Sequence, residues 1–469
     1  MIFTLASTHS AWATVDEAVK PTAAETLMTL LEAAKLIQLS PQEIYSRTQS
    51  VLEHFGVPAE AESQSVLAER SSQQTLEGLQ AILPIMDPDH FLDHYIETNA
   101  TVFTGYQDRD SKELHDFVIS LLSEGQALPV TRLETRLKKA ATQNPANLPL
   151  KGLKIALDPG HMGNTFWDEK TGKIVYHPDG RKLSEGVLNL QTVLLLEKRL
   201  TALGAEVLVT HRELGPVSAL PLNDLPLVEF ARRELRSSSA DLWFQALLKT
   251  APIGNPLYAA FEADSNFNKL FAESHRADYF ILRADLDART DLINRFAPDL
   301  TLIIHYDTMD PEGLTSGGGI NKSGWNRTKV YVPGSFSVDE FSSREDRAFV
   351  ARHLTSPFSW DASRKLGRSV VRELSDQLGL EFDRFGGGNS RQVEPGIFSR
   401  NLALNRKIFG HAVSYVEVAY YNDPKEFNRL HDYAHDMDIG GKNYPYSERL
   451  VNIADALENG VVKFVQTYR

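Results

Sequence analysis

Two histidines and two glutamates stand where an apolar run meets a turn, where a helix begins, or inside an apolar strand. The run Leu153-Lys154-Ile155-Ala156-Leu157 stops at the tight turn Asp158-Pro159-Gly160-His161-Met162-Gly163, which carries His161 at its crest. Ser184-Glu185 then opens a helix whose Leu190, Val193, Leu194 and Leu200 follow helical spacing. His305 ends the run Leu302-Ile303-Ile304, and Glu417 lies within Tyr415-Val416-Glu417-Val418-Ala419. Histidine and glutamate are zinc-ligand types, and an ionised group in an apolar strand is costly unless paired or metal-associated. Taken singly, His305 reads as a satisfied core histidine and Glu417 as a solvent-facing strand position. Taken together, the four have no other obvious purpose.

The elements that must position them follow from the rest of the chain. With 469 residues, 42% of them hydrophobic and 24% charged, the protein has the composition of a globular chain of two or more domains. The net charge of −13 and the absence of a Lys/Arg stripe argue against nucleic acid as a partner, since that role needs cationic surface. There is no cysteine, which excludes thiolate zinc sites, disulfides and a cysteine nucleophile. Any metal site must use histidine and carboxylate. No run of about 18 apolar residues exists to span a membrane. Within residues 1–20, Ala11-Trp12-Ala13 has the small-x-small form of a cleavage site. The segment reads as a signal peptide whose start lies upstream, with an ordinary terminal tail as the alternative.

Residues 21–142 read as a helical N-terminal domain. Helices are expected from about Thr22, near Pro41–Phe55, Ser65–Leu83, His90–Asn99, Ser111–Ser123 and Val130–Ala141. Residues 143–150, with two prolines, form the linker. From Lys151 to the C-terminus strands alternate with helices. Strands are expected at Leu153–Leu157, Ala205–Thr210, Leu300–His305, Lys329–Val332 and Ser414–Tyr420. Helices are expected near Leu286–Phe296, Ala362–Leu378, Pro424–Met437 and Ser447–Thr467. This is an α/β domain around a largely parallel sheet, in which ligands bind outside the carboxyl ends of strands. Two insertions, near 213–275 and 308–401, are long enough to be lids over a site.

The ordered motifs resemble the zinc-dependent N-acetylmuramoyl-L-alanine amidases, bacterial cell-wall hydrolases of amidase type 3. They are Ile155-Ala156-Leu157-Asp158-Pro159-Gly160-His161, Ser184-Glu185 with Asn189-Leu190, Thr210 and Arg212, Ala288-Arg289-Thr290 with Asn294, Asp299 through His305, and Val416 through Asp423. His211 between Thr210 and Arg212, and Tyr306-Asp307 after His305, depart from the family's pattern. The resemblance implies a phosphorylase/hydrolase-like α/β fold with a central, mostly parallel sheet flanked by helices. It implies that His161, Glu185 and His305 bind Zn²⁺ and that Glu417 is the catalytic carboxylate. Two neutral imidazoles and one carboxylate leave zinc a net positive charge and an open position. The implied substrate is peptidoglycan, cut between N-acetylmuramic acid and L-alanine. The implied location is the cell envelope, periplasmic or secreted, and a protein activator is an expected partner. Two alternatives share the scaffold: a catalytically idle wall-binding or regulatory protein, and a zinc peptidase acting on another amide.

Other signals are weaker. His431 and His435, four apart on an expected helix, read as a solvated face because Asp432 stands where a metalloprotease needs glutamate. Gly317-Gly318-Gly319 lacks the glycine directly before lysine that a phosphate loop needs. Asp168 and His177 read as loop residues, Arg289 and Asn294 as braces of the helix before His305, and His275 and His411 as structural.

Overall fold

Two sheets organise the described part of the chain in a computed structural model of the protein. The structure describes residues 71–225, 276 and 280–469, less 75, 100–101, 107–114, 122–130, 164, 171–172, 310–318, 322–323, 337–343 and 355. The expected signal segment, the helices before residue 71, most of the 213–275 insertion including His275, and Gly317-Gly318 lie outside the described residues.

The first sheet is small and comes before the linker. It contains β1 (Ser71–Gln74), β2 (Ile96–Thr98), β3 (Val102–Tyr106) and β4 (His115–Leu121) in the order β1-β4-β3-β2, with helix α1 (Leu76–Met86) after β1. Helix α2 (Arg132–Gln143) follows, its first turn capped by the Thr131 hydroxyl accepting the Glu134 N–H. This corrects the all-helical expectation for the region. His90–Asn99 holds only a 3₁₀ turn and β2, and Ser111–Ser123 holds β4. Phe117-Val118-Ile119 shows why: a short aromatic and β-branched run has no readable period but fits a pleated sheet.

The large sheet follows the linker. Its early members are β5 (Lys154–Pro159) and β8 (Glu206–Val209), and the strands β6 (Ile174–Tyr176) and β7 (Lys182–Ser184) pair as a separate hairpin. Between them lie the short helix α3 (Thr165–Lys170) and the long helix α4 (Glu185–Ala202). Helix α5 (Leu286–Phe296) leads into β9 (Leu300–Asp307), and β10 (Arg327–Val332) comes next. Helices α6 (Arg344–Leu354) and α7 (Pro357–Leu378) precede β11 (Glu381–Phe382), β12 (Ser390–Glu394) and β13 (Ile397–Arg400). The chain ends with α8 (Ala403–Lys407), β14 (Ala412–Tyr420), α9 (Pro424–His431), the hairpin β15 (Tyr433–Ile439) and β16 (Lys442–Ser447), and α10 (Glu448–Gln466). The strand order is β12-β13-β10-β14-β9-β5-β8, with β11 beside β10. Strands β8, β5, β9 and β14 are mutually parallel, while β10 runs antiparallel to β14.

Both faces of the sheet are covered, as parallel strands require. Ile155, Leu157, Leu300, Leu302, Ile304, Val330, Val416 and Val418 join one core with α4, α7 and α10. Ala156, Ile303 and Val413 join a second, smaller core with Ile293 of α5 and Leu404 of α8. Because side chains alternate along a strand, the residues that continue this second face are Asp158, His305 and Glu417. The sheet therefore changes from apolar to polar toward the carboxyl ends of β5, β9 and β14.

Two expectations are corrected here. The described part of 308–401 is scaffold rather than a detached lid, since α7 packs on β10 and β14, and β11–β13 pair within the sheet. The helix expected at Pro424–Met437 stops at His431, and His435 lies on β15. Gly440 and Gly441 both take positive φ, 60° and 78°, which turns β15 back into β16.

Candidate active site

His161 is held in the left-handed region, φ 61°, a costly conformation for a residue with a side chain. What over-determines it is Arg289, buried on α5. Its guanidinium donates to Pro159 O and His161 O, both at 2.7 Å, and Nε donates to Asp285 Oδ2 at 2.7 Å. Nη1 also lies 3.3 Å from Asp158 Oδ2, and the Thr210 hydroxyl donates to Asp158 Oδ1 at 2.6 Å. Asn189 Nδ2 fixes the other side of the turn by donating to Gly160 O at 2.9 Å. Arg289 thus braces the His161 turn, whereas Asn294 donates to Lys407 O at 2.9 Å and braces α8.

Glu185 begins α4. Ser184 caps the helix by accepting the Val187 N–H at 3.3 Å, and its own hydroxyl donates to Asp168. The residue after Glu185 is Gly186, where a Cβ would overlap the backbone of Gly163. The His161 turn and the start of α4 can approach one another only because neither glycine has a side chain. His305 continues β9, its ring stacked on Tyr415 with centroids 4.3 Å apart. Gly160 passes under the same ring, and a Cβ there would fall on it.

These elements bring His161, Glu185 and His305 together, with one ligand-type atom from each within 4.8 Å of the others. Glu185 is fully buried. Its Oε1 lies 3.0 Å from His305 Nδ1 and 3.1 Å from His161 Nε2, the latter in a geometry that makes no hydrogen bond. Burial alone would raise the Glu185 pKa, but His161, Lys173 and His305 hold it well below the usual carboxylate value. Burial pushes His305 down to about 3 against the opposing pull of Glu185. The cluster thus carries an ionised carboxylate and a neutral imidazole, the states that metal ligation requires.

Glu417 stands directly opposite His305 across β14 and β9, and directly opposite Lys329 across β14 and β10. Burial first, then Asp307 and Glu185, raise its pKa well above the usual carboxylate value, and Lys329 and Lys173 pull the other way. Its Oε2 is buried without a hydrogen-bond partner.

Sequence reasoning did not single out the two lysines. Lys329 Nζ is buried among Asp307 Oδ2 at 2.7 Å, Asp383 Oδ2 at 2.8 Å, the Tyr420 hydroxyl at 2.8 Å and Phe385 O at 3.3 Å. Lys173 Nζ lies 3.4 Å from Glu185 Oε2, and Glu185 before Glu417 and Asp307 pushes its pKa up to about 12. A lysine at the start of an expected strand was the available signal for Lys329; nothing local marks Lys173.

Solved structures similar to this chain include N-acetylmuramoyl-L-alanine amidases. Ami1 of Mycobacterium smegmatis shares 15% identity and a TM-score of 0.36, over 68% of this chain and 99% of that one. AmiC2 of Nostoc punctiforme shares 14% identity and a TM-score of 0.34, over 68% and 99%. The CwlD amidase of Clostridioides difficile, solved with the GerS lipoprotein, shares 14% identity and a TM-score of 0.35, over 67% and 100%. No family model matches the sequence, and no curated protein matches it.

The remaining candidates lie apart from the cluster or serve its supports. Asp168 is buried against the α4 cap, and burial raises its pKa. His177 stacks on Phe427 with centroids 5.1 Å apart and pairs with Asp179 at 2.8 Å. His431 and His435 belong to different elements and form no pair, His435 bonding Glu448 at 2.7 Å. Among the described residues, no helix is long and apolar enough to cross a membrane.

Proposed function

We propose that the chain is a zinc-dependent N-acetylmuramoyl-L-alanine amidase of the cell envelope. It would hydrolyse the amide between the lactyl group of N-acetylmuramic acid and L-alanine in peptidoglycan. The observation that carries this reading is the convergence of His161, Glu185 and His305 with Glu417 one strand away. The ordered sequence motifs supply the substrate. Residues 151–469 would be the catalytic domain and the region before residue 143 an accessory one.

The residues fit the metal. Two nitrogens and one oxygen suit a zinc site with an open position. His161 Nε2 and Glu185 Oε2, buried and without hydrogen-bond partners, are polar groups that a bound cation would satisfy. When bound, zinc supplies Lewis-acid chemistry, acidifying water and polarising a carbonyl.

The chain's own part centres on Glu417. Its carboxylate takes a proton from water at Oε2 and returns it to the amine of the departing L-alanine. Burial raises its pKa, and a raised pKa makes the ionised carboxylate a stronger base than an ordinary one. Arg289 and Asn189 keep the His161 turn in register, and Lys173 sets a cation beside Glu185.

The test is peptide release from purified peptidoglycan, with chelator and with zinc restored. New L-alanine amino termini, lost with chelator and regained with zinc, are expected. Failure to bind zinc sinks the ligand assignment, and bound zinc without new amino termini sinks the amidase.

A further inference from the structure

Two lysines stand beside the cluster, and only one has all its donors engaged. Lys329 Nζ is enclosed by Asp307, Asp383, the Tyr420 hydroxyl and Phe385 O, so each of its three N–H groups has an acceptor. Lys173 differs. Among the described residues its ammonium has one polar contact, Glu185 Oε2 at 3.4 Å, and that contact lacks hydrogen-bond geometry. Three donors thus face a single, distant acceptor.

The backbone of Lys173 is fixed from both sides. Its N–H donates to Asp168 O of α3 at 2.6 Å, and its C=O accepts the N–H of Glu185, the first residue of α4, at 3.0 Å. The side chain is 34% exposed whereas that of Glu185 is 1% exposed, so the ammonium lies on the solvent side of the ligand carboxylate. The charges of Glu417 and Asp307 reach it as well.

A cation with unused donors beside this cluster can serve either the ligand or the substrate. Service to the ligand alone fits poorly, because a group that fixes a partner hydrogen-bonds it, as Arg289 does His161 O at 2.7 Å. The substrate, by contrast, needs a donor. When water adds to an amide, the π pair of the carbonyl moves onto its oxygen, and a donor aimed at that oxygen lowers the barrier. Glu417, whose task is to accept a proton, cannot supply one to that oxygen at the same moment.

We propose that Lys173 is a further catalytic residue, whose ammonium donates a hydrogen bond to the scissile carbonyl oxygen as that oxygen becomes negative. This rests on the amidase reading. In the first step the water oxygen bonds to the carbonyl carbon, Glu417 takes a water proton, and the π pair goes to the oxygen beside Lys173. On collapse that pair re-forms C=O and the C–N bond breaks. The nitrogen keeps the bonding pair and takes the proton from Glu417, leaving the lactyl carboxylic acid and the amine of L-alanine. Lys173 keeps its own protons throughout.

The test uses the full chain loaded with zinc, with Lys173→Met, Lys173→Ala and Lys173→Arg. Turnover on a muramoyl-peptide is read beside two measurements that need no turnover. One is zinc affinity by chelator competition; the other is calorimetric binding of a phosphinate analogue whose PO₂⁻ group replaces the scissile carbonyl. In Lys173→Met and Lys173→Ala, kcat should fall about 10²- to 10³-fold with KM within a few-fold of wild type, the loss of one such donor. Phosphinate binding should weaken along with kcat, because the anion mimics the transition state. Zinc affinity should stay equal or rise, since removing a neighbouring cation removes a repulsion. Lys173→Arg keeps a cationic donor and should recover at least tenfold of the lost rate. Thermal melting checks that each variant is folded. Unchanged kcat and phosphinate affinity in both the methionine and alanine variants overturn the donor and leave the amidase reading standing. A rate loss that disappears at saturating zinc also overturns it, by making Lys173 a support of Glu185. Zinc and phosphinate bound by wild type without peptide release overturn the amidase reading alone, while weaker phosphinate binding in both variants upholds the donor.

Discussion

Lys329 and Glu417 face each other across β10 and β14, and Glu417 in turn faces His305 across β9, so three side chains form one row across the sheet. Lys329 turns its ammonium to Asp307 and Asp383, leaving Glu417 Oε2 unpartnered in a buried position. An amide in place of that carboxylate keeps the shape and removes the base. Glu417→Gln should retain zinc at wild-type stoichiometry and lose about 10²- to 10⁴-fold in peptide release. Zinc content by elemental analysis and turnover on muropeptides check both halves, and hydrolysis near the wild-type rate would remove Glu417 from the mechanism.

Removing the lysine has a different consequence. Lys329→Met would leave Asp383, fully buried, and Asp307 without their cation. Breaking a buried pair from one side costs roughly 3–5 kcal/mol. The urea midpoint should fall accordingly, and Lys329→Met with Asp383→Leu should recover part of the loss. A double variant no better than the single one would show that the pairing is not the source of the effect.

Arg289→Met should act on metal binding without touching a ligand. The left-handed His161 turn loses the donors to Pro159 O and His161 O, and Asp158 and Asp285 lose their partner. Outer supports of this kind carry about 10- to 100-fold in metal affinity. Competition with a chromophoric chelator measures the change, and an affinity equal to wild type would mean that the turn holds itself.

The elements that carry or deliver the four candidate residues were legible because an apolar run with its sharp stop, and a capped helix start, are local signals. Helix Leu286–Phe296 and the apolar part of Leu300–Asp307 stand where periodicity puts them. The partners of those residues were not legible. Lys329 meets Tyr420 across 91 positions, and only the register of β10 against β14 makes them neighbours. Arg289 read as a brace for its own helix because its true acceptors, Pro159 O and His161 O, lie on another strand end. The β15–β16 hairpin was hidden because Tyr433-Ala434-His435-Asp436-Met437 has no strong alternation, and Gly440-Gly441 was the one turn signal left. In β4, propensity and period pulled apart and pairing decided.

Buried histidines should make the chelator-treated protein acid-sensitive well above the carboxylate range. Burial pushes His353 down to about 4 and His411 and His305 down to about 3, from an ordinary 6.5. Between 6.5 and those values the unfolded chain binds protons that the folded chain refuses. Stability is therefore whole above pH 6.5 and falls as pH drops, by about 1.4 kcal/mol per unit for each histidine until its folded pKa is reached. Urea midpoints at about pH 7.5 and about pH 5 should show the decline, and His411→Gln should make it shallower. Midpoints that do not move would mean that these imidazoles are protonated in the folded state.

Gly160→Ala tests the packing that sets His305. A Cβ at this position falls on the His305 ring, which is confined on its other face by Tyr415. The ring cannot yield without leaving the cluster, because a close-packed neighbour transmits the displacement instead of absorbing it. The variant should fold with a loss of about 1–3 kcal/mol, the cost of overpacking by one methyl group. Its zinc affinity should drop much more than its stability suggests, since one of the three proposed ligands is moved. Gly152→Ala is the control, at a glycine of positive φ with open space around its Cβ position. It should lose stability through backbone strain and keep its zinc affinity. Zinc binding equally impaired in both variants would show that stability, and not the contact between Gly160 and His305, sets the metal affinity.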